Sequence, residues 1–224
     1  DEDLQLTVCP FDTEAEAMVL GETGKIEVEY RENRGFFFDF EHHRRIKILK
    51  ESGLDQGDIT LHYYHGNNLE KMGSLKAQVI QPDGSSEKLK NRDFFEEELN
   101  DNWTAVTFTL PQLQVGSIIE YRYSIESERI INLKEWFFQH EIPVNFSELM
   151  LVFPTWFDYQ FITQGESQIQ KEDLGVINSS FGTGISIDMN RIRFLGTELP
   201  GLSPEQYIST MEDYMARIRF QLNT

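Results

Sequence analysis

The sequence predicts an all-β protein: mainly an antiparallel β-sandwich or curled sheets, with one or two short helices. Two observations carry that prediction. Apolar residues recur at every second position over much of the chain, as strands with one buried face require. Turn chemistry returns every ten or so residues, the spacing of a sandwich or barrel.

Lys25-Ile26-Glu27-Val28-Glu29-Tyr30-Arg31 alternates charged and apolar residues without a break. Residues 45–50 and 58–63 repeat the pattern. Further strands are expected at 75–80, 103–110, 117–125, 136–140, 148–153 and 159–163, with late ones at 184–187 and 192–195. Between them lie Glu32-Asn33-Arg34-Gly35, Ser52-Gly53, His65-Gly66-Asn67-Asn68 and Pro82-Asp83-Gly84-Ser85, all turn-forming sets. Pro82 presets φ and Gly84 accepts a positive φ. Gly116 is expected to let the chain reverse into the strand after it.

Two segments break the pattern. Residues 91–102 set Arg92 against Asp93, Glu96, Glu97, Glu98 and Asp101, which suits a short helix or a solvated loop. Ser203-Pro204-Glu205 reads as a helix start, Ser as N-cap and Pro at the first helical position, running to about Met211. Aromatic density falls near Gly165. This divides the chain into a β-sandwich-like domain at 1–164 and, at 165–224, further strands of the same or a closely packed second β subdomain.

Composition excludes several functions. The chain has 224 residues and a formal net charge of −18. Phosphate neutralisation needs a surplus of Lys and Arg, so nucleic acid is not an expected partner. A polybasic membrane-surface module is excluded on the same ground. No run approaches the roughly 18 apolar residues of a spanning helix. The single cysteine, Cys9, cannot close an intrachain disulfide, so the chain is not a disulfide scaffold.

Candidate chemistry is sparse. Cys9 sits in the extended Leu6-Thr7-Val8-Cys9-Pro10 and reads as a structural thiol rather than a nucleophile. His62 and His65 have the i, i+3 spacing of a helix, but on a strand running into a turn they diverge, so no metal site is expected. His42 and His43 diverge on any regular element. No cofactor, metal or catalytic set is expected. With 38 Asp and Glu residues, paired carboxylates carry no specificity. Trp103, Trp136 and Trp156, with Tyr63 and Tyr64, are the candidate binding surface for a glycan or peptide, although aromatic residues on strands more often fill a core. The basic cluster His43-Arg44-Arg45-Ile46-Lys47 with Lys50 reads as the outward face of a strand or as an internal dock for an acidic loop. Glu120, out of phase with Ile119 and Tyr121, is expected in solvent or paired with Arg44 or Arg45.

Several segments together resemble one family. They are Ala15-Glu16-Ala17-Met18-Val19-Leu20, the basic strand through Lys50-Glu51-Ser52-Gly53, and Ala77-Gln78-Val79-Ile80-Gln81-Pro82-Asp83-Gly84. Then come Val115-Gly116-Ser117-Ile118-Ile119-Glu120-Tyr121, Trp136-Phe137-Phe138-Gln139, Ile142-Pro143-Val144, Ser147-Glu148 and Phe153-Pro154. The tail adds Glu212-Asp213-Tyr214 and Arg217-Ile218-Arg219-Phe220. In order and spacing these resemble the domain of unknown function 3857 family, the β-rich N-terminal domain of bacterial, Bacteroidetes-type transglutaminase-like proteins, over about residues 12–222. The resemblance implies a non-catalytic accessory domain, with Cys-His-Asp machinery in a papain-like domain that follows. It also implies export to the periplasm, the cell surface or the medium, with the leader trimmed. Cys9 does not occupy the family's nucleophile motif, so no catalytic residue is carried over. The alternative reading is a carbohydrate- or peptide-binding β-sandwich using surface aromatics.

Overall fold

The computed structural model describes residues 2–165, 169–181, 185–202 and 214–223. The predicted helix from Ser203 lies outside them. Within them the fold is all-β, as the alternation requires. A short helix, α1 (Glu2–Gln5), precedes β1 (Ala17–Arg31), β2 (Gly35–Ile48), β3 (Asp58–Tyr64), β4 (Glu70–Ile80), β5 (Ser86–Lys88), β6 (Phe95–Glu98) and β7 (Trp103–Thr109). Then follow β8 (Ile118–Ser127), β9 (Trp136–Phe137), β10 (Val144–Pro154), β11 (Tyr159–Gln164), β12 (Gln170–Phe181), β13 (Ile185–Leu199) and β14 (Arg217–Leu222).

The strands form one eight-stranded sheet in the order β12-β13-β10-β1-β2-β8-β4-β5 and two three-stranded sheets, β11-β14-β9 and β3-β7-β6. Pairing is antiparallel except between β1 and β10. Residues from all three sheets share one core, including Phe38, Phe40 and Leu149 of the large sheet, Leu61 and Phe108 of one small sheet, and Trp136 and Phe220 of the other. The second layer is therefore split in two.

Parity explains what each strand buries. In β2, Phe38, Phe40, Ile46 and Ile48 are buried, and His42 and Arg44 lie in phase with them. In β1 the register shifts between Val19 and Gly21. That bulge changes the inward set from Ala17 and Val19 to Glu22, Gly24, Ile26 and Val28, as one extra residue must.

Several segments differ from the sequence reading. Residues 91–102 open with a single 3₁₀ turn, Asn91–Asp93, and continue into β6, so the expected short helix is one turn long and a strand follows it. The late strand pieces merge into one fifteen-residue β13, whereas the expected strand at 136–140 shrinks to Trp136–Phe137. The turn glycines act as their chemistry predicts: Gly84 and Gly116 have φ of 86° and 88°.

The basic cluster does not form one face. Strand alternation sends Arg44 inward. Arg45 Nη1 donates to Asp3 at 2.5 Å, and Lys47 Nζ donates to the carbonyls of Leu4 (3.0 Å) and Gly116 (2.7 Å). Lys50 Nζ donates to the Glu14 carbonyl at 2.8 Å. The N-terminal segment is thus docked on this cluster, and Lys47 is fully buried beneath it.

Candidate functional site

Where the second layer splits, a cleft of about 580 Å³ opens onto the large sheet. Its floor includes Glu22, Phe40, His42, Arg44 and Tyr123; His62 of β3 and Trp136 and Phe137 of β9 border it. His140 also lines it.

Glu22 is the centre. It is 2% exposed, on β1, and every neighbour that satisfies it comes from another segment. Its Oε1 accepts from His42 Nε2 at 2.7 Å and from Arg44 Nε at 2.8 Å, with Arg44 Nη2 closer still. Its Oε2 accepts from His140 Nε2 at 2.6 Å. Because a carboxylate only accepts, both imidazoles must carry their proton on Nε2. Arg44 Nη2 also approaches His140 Nε2 at 2.9 Å, which sets two donors side by side.

The charges follow from this geometry. Burial alone would raise the Glu22 pKa, but the charge of Arg44, that of His140 once acid protonates it, and hydrogen bonds from both imidazoles hold it well below the usual carboxylate range. Burial lowers the His42 pKa, with Glu22 opposing. Burial and Arg44 lower that of His140. Near neutral pH the centre is one carboxylate, one guanidinium and two neutral imidazoles. His42 Nδ1 is buried with no hydrogen-bond partner among the described residues. Its ring lies among Tyr123 (4.9 Å), Trp136 (5.3 Å) and Tyr121 (5.8 Å).

Trp136 braces the centre. Its indole lies over Gly24, where a Cβ would come within 2.3 Å of the ring. Its Nε1 donates to the buried Ser147 Oγ at 3.1 Å. One β9 side chain thus spans the parallel β1–β10 pair.

The sequence-derived candidates are scattered. Trp136 and Tyr63 are buried, and the Tyr63 hydroxyl donates to Glu96 at 2.5 Å. Tyr64 and Trp103 share an outer patch with ring centroids 5.5 Å apart, edge to face, and Trp103 is 39% exposed. Trp156, 56% exposed, packs with Phe36 and Phe157. The five residues therefore do not form one surface: alternation turns Trp136 and Tyr63 into the core. His65 Nδ1 meets Thr104 Oγ1 at 2.7 Å, while His62 borders the cleft. Cys9 is buried against Ala15, Met18 and Leu49, in a separate cluster. Glu120 lies opposite Arg45 in register, and its carboxylate accepts from Gln78 at 2.5 Å and His43 at 2.8 Å. Arg44, the other expected partner, points to the opposite face.

The Glu22 centre was missed by motif reasoning because its members are far apart in sequence. A signal was present nonetheless. Glu22 is in phase with Ile26 and Val28, and His42 and Arg44 with Phe40 and Ile46.

Fold and site define a β-rich sandwich domain with a split second layer and a buried ionic centre. The chain belongs to the family described as a domain of unknown function with a solved structure (DUF3857), which it matches over residues 38–179. Among solved structures, that of a "putative protease" from Parabacteroides distasonis superposes with a TM-score of 0.70 at 14% identity. The match covers 92% of this chain and 40% of that one, so the fold is shared and this chain spans well under half of the larger protein. A "putative nutrient binding protein" from Legionella pneumophila aligns over 93% of this chain and 68% of its own at 7% identity. Its TM-score of 0.34 is too low to define a common fold. No curated protein matches significantly.

Proposed function

We propose that this chain is a non-catalytic N-terminal accessory domain of an exported transglutaminase-like protein, acting in the periplasm, at the cell surface or outside the cell. It supports or presents a papain-like domain that follows it. The observation that carries this reading is the coverage of the solved neighbour: the shared fold accounts for 92% of this chain but 40% of that larger protein. The polar centre supports it too. Both Glu22 oxygens are occupied from within the protein, which suits a clasp between strands better than a general base. The test compares the full-length protein with a version lacking this region. Loss of stability, turnover or substrate range in the remaining domain supports the role; no change in any of the three refutes it.

A second reading, a glycan- or peptide-binding module, rests on the Tyr64–Trp103 pair, of which Trp103 is exposed and Tyr64 half-buried. Trp103→Ala with Tyr64→Ala should then abolish glycan-array signals. An array blank for the unaltered chain removes that reading.

A further inference from the structure

We propose that the cleft binds an extended, net-basic peptide as an added strand between β3 and β9. This is independent of the accessory role, since it concerns what the domain itself binds.

The backbone directions carry the inference. β3 and β9 are each the terminal strand of a three-stranded sheet. The β3–β7 ladder is bracketed by Leu110 N–H to the Gly57 carbonyl and His65 N–H to the Asn102 carbonyl. Odd-numbered β3 residues therefore face β7, because antiparallel bonded pairs alternate. The His62 amide and carbonyl face the other edge. Tyr64 confirms that direction, since its amide donates across the same edge to Glu70 Oε2 at 2.9 Å. In β9, Phe138 N–H bonds the Ala216 carbonyl, so the Phe137 amide and carbonyl point away from β14. His62 and Phe137 border the same cleft. Two sheet edges with outward-facing donors and acceptors thus flank one groove.

An extended backbone is the ligand chemistry that matches a pair of edges with no partner strand among the described residues, as in strand addition to exposed sheets. The volume of about 580 Å³ lies within the range of ligand clefts. Alternate side chains of the guest would face the Phe40–Tyr123 floor. Charge selects the rest: of the charges lining the cleft, Glu22 is matched by Arg44, Lys134 by Glu70 and Glu135 by Arg217, which leaves Glu141 without an ion partner among the described residues in a chain of −18 overall, so a basic peptide is favoured over an acidic one.

The test starts by selecting a displayed random heptapeptide library against the chain. Enriched sequences are then made synthetically, and their binding is measured by fluorescence anisotropy with a single N-methyl group moved along the backbone. A strand paired on both sides uses consecutive amides, so methylation at each central position should weaken binding at least tenfold. His62→Pro removes one cleft-facing donor without touching the β3–β7 ladder, and should cause a similar loss. Should that variant fail to fold, the methyl scan on the unaltered chain decides. Four results would overturn the proposal: no enrichment, enrichment of acidic peptides, binding indifferent to N-methylation, or sensitivity only at alternate positions, which means pairing with a single edge.

Discussion

Replacing Glu22 by Gln keeps the shape of the centre and removes its one negative charge. Arg44, 21% exposed at its side chain, then faces a neutral amide. One of the amide's two polar atoms is itself a donor, so His42 or His140 meets a donor where it had an acceptor. Removing one partner of a buried ion pair costs about 3–5 kcal/mol, because the other charge stays buried without compensation. In a domain of this size each kcal/mol moves Tm by about 2–4 °C, which puts the expected drop at roughly 6–20 °C. Urea unfolding at pH 7.5 and a calorimetric melt measure it directly. The double variant Glu22→Gln with Arg44→Met removes the orphaned charge as well, and should recover part of the loss. A single-variant effect below about 1 kcal/mol would refute the reasoning, since Glu22 would then contribute no more than an exposed pair.

Acid should destabilise the domain early. The folded pKa values of His42 and His140 lie below the ordinary 6.5, so below pH 6.5 the unfolded chain takes up protons that the folded one refuses. Stability should fall from there by up to about 1.4 kcal/mol per pH unit per histidine, read from urea midpoints between pH 7.5 and 5.5; a flat profile would exclude buried neutral imidazoles. The lowered pKa of Glu22 adds a further loss below pH 4.5. Gly24→Ala forces a Cβ into the Trp136 ring and should cost about 1–3 kcal/mol, with altered tryptophan emission; unchanged emission and stability would contradict the close packing. Lys47→Met strands the Leu4 and Gly116 carbonyls, so amide exchange in residues 2–6 should accelerate while the large sheet stays protected; equal protection would mean that the N-terminal segment docks by other contacts.

The fold class was legible because period two is a strong signal. Lys25–Arg31 could hardly be anything but a half-buried strand. Lengths were less legible: β2 continues back through Phe36-Phe37-Phe38, where a run of aromatics hides the alternation, and Phe37 is buried on the opposite face under Arg31 and Arg34. The ionic centre has no spacing motif, because none of its members is near another in sequence except His42 and Arg44. Phase was the usable cue. A glutamate, a histidine and an arginine each fell on the apolar parity of a strand, where an unpaired charge could not remain. Which residues would meet depended on the β1 bulge and on His140 arriving from beyond β9, and neither is written in local sequence. The aromatic surface failed for the converse reason: aromaticity does not reveal which side of a strand a ring occupies.

The proposed accessory role is tested most directly by turnover in the full-length protein carrying two separate changes: Glu22→Gln here, and loss of the nucleophilic cysteine that the proposal places in a following papain-like domain. Assayed below the melting point of the first variant, turnover should persist with Glu22→Gln and vanish with the cysteine change. Turnover that survives loss of the cysteine but disappears with Glu22→Gln would place the chemistry in this domain and contradict the account.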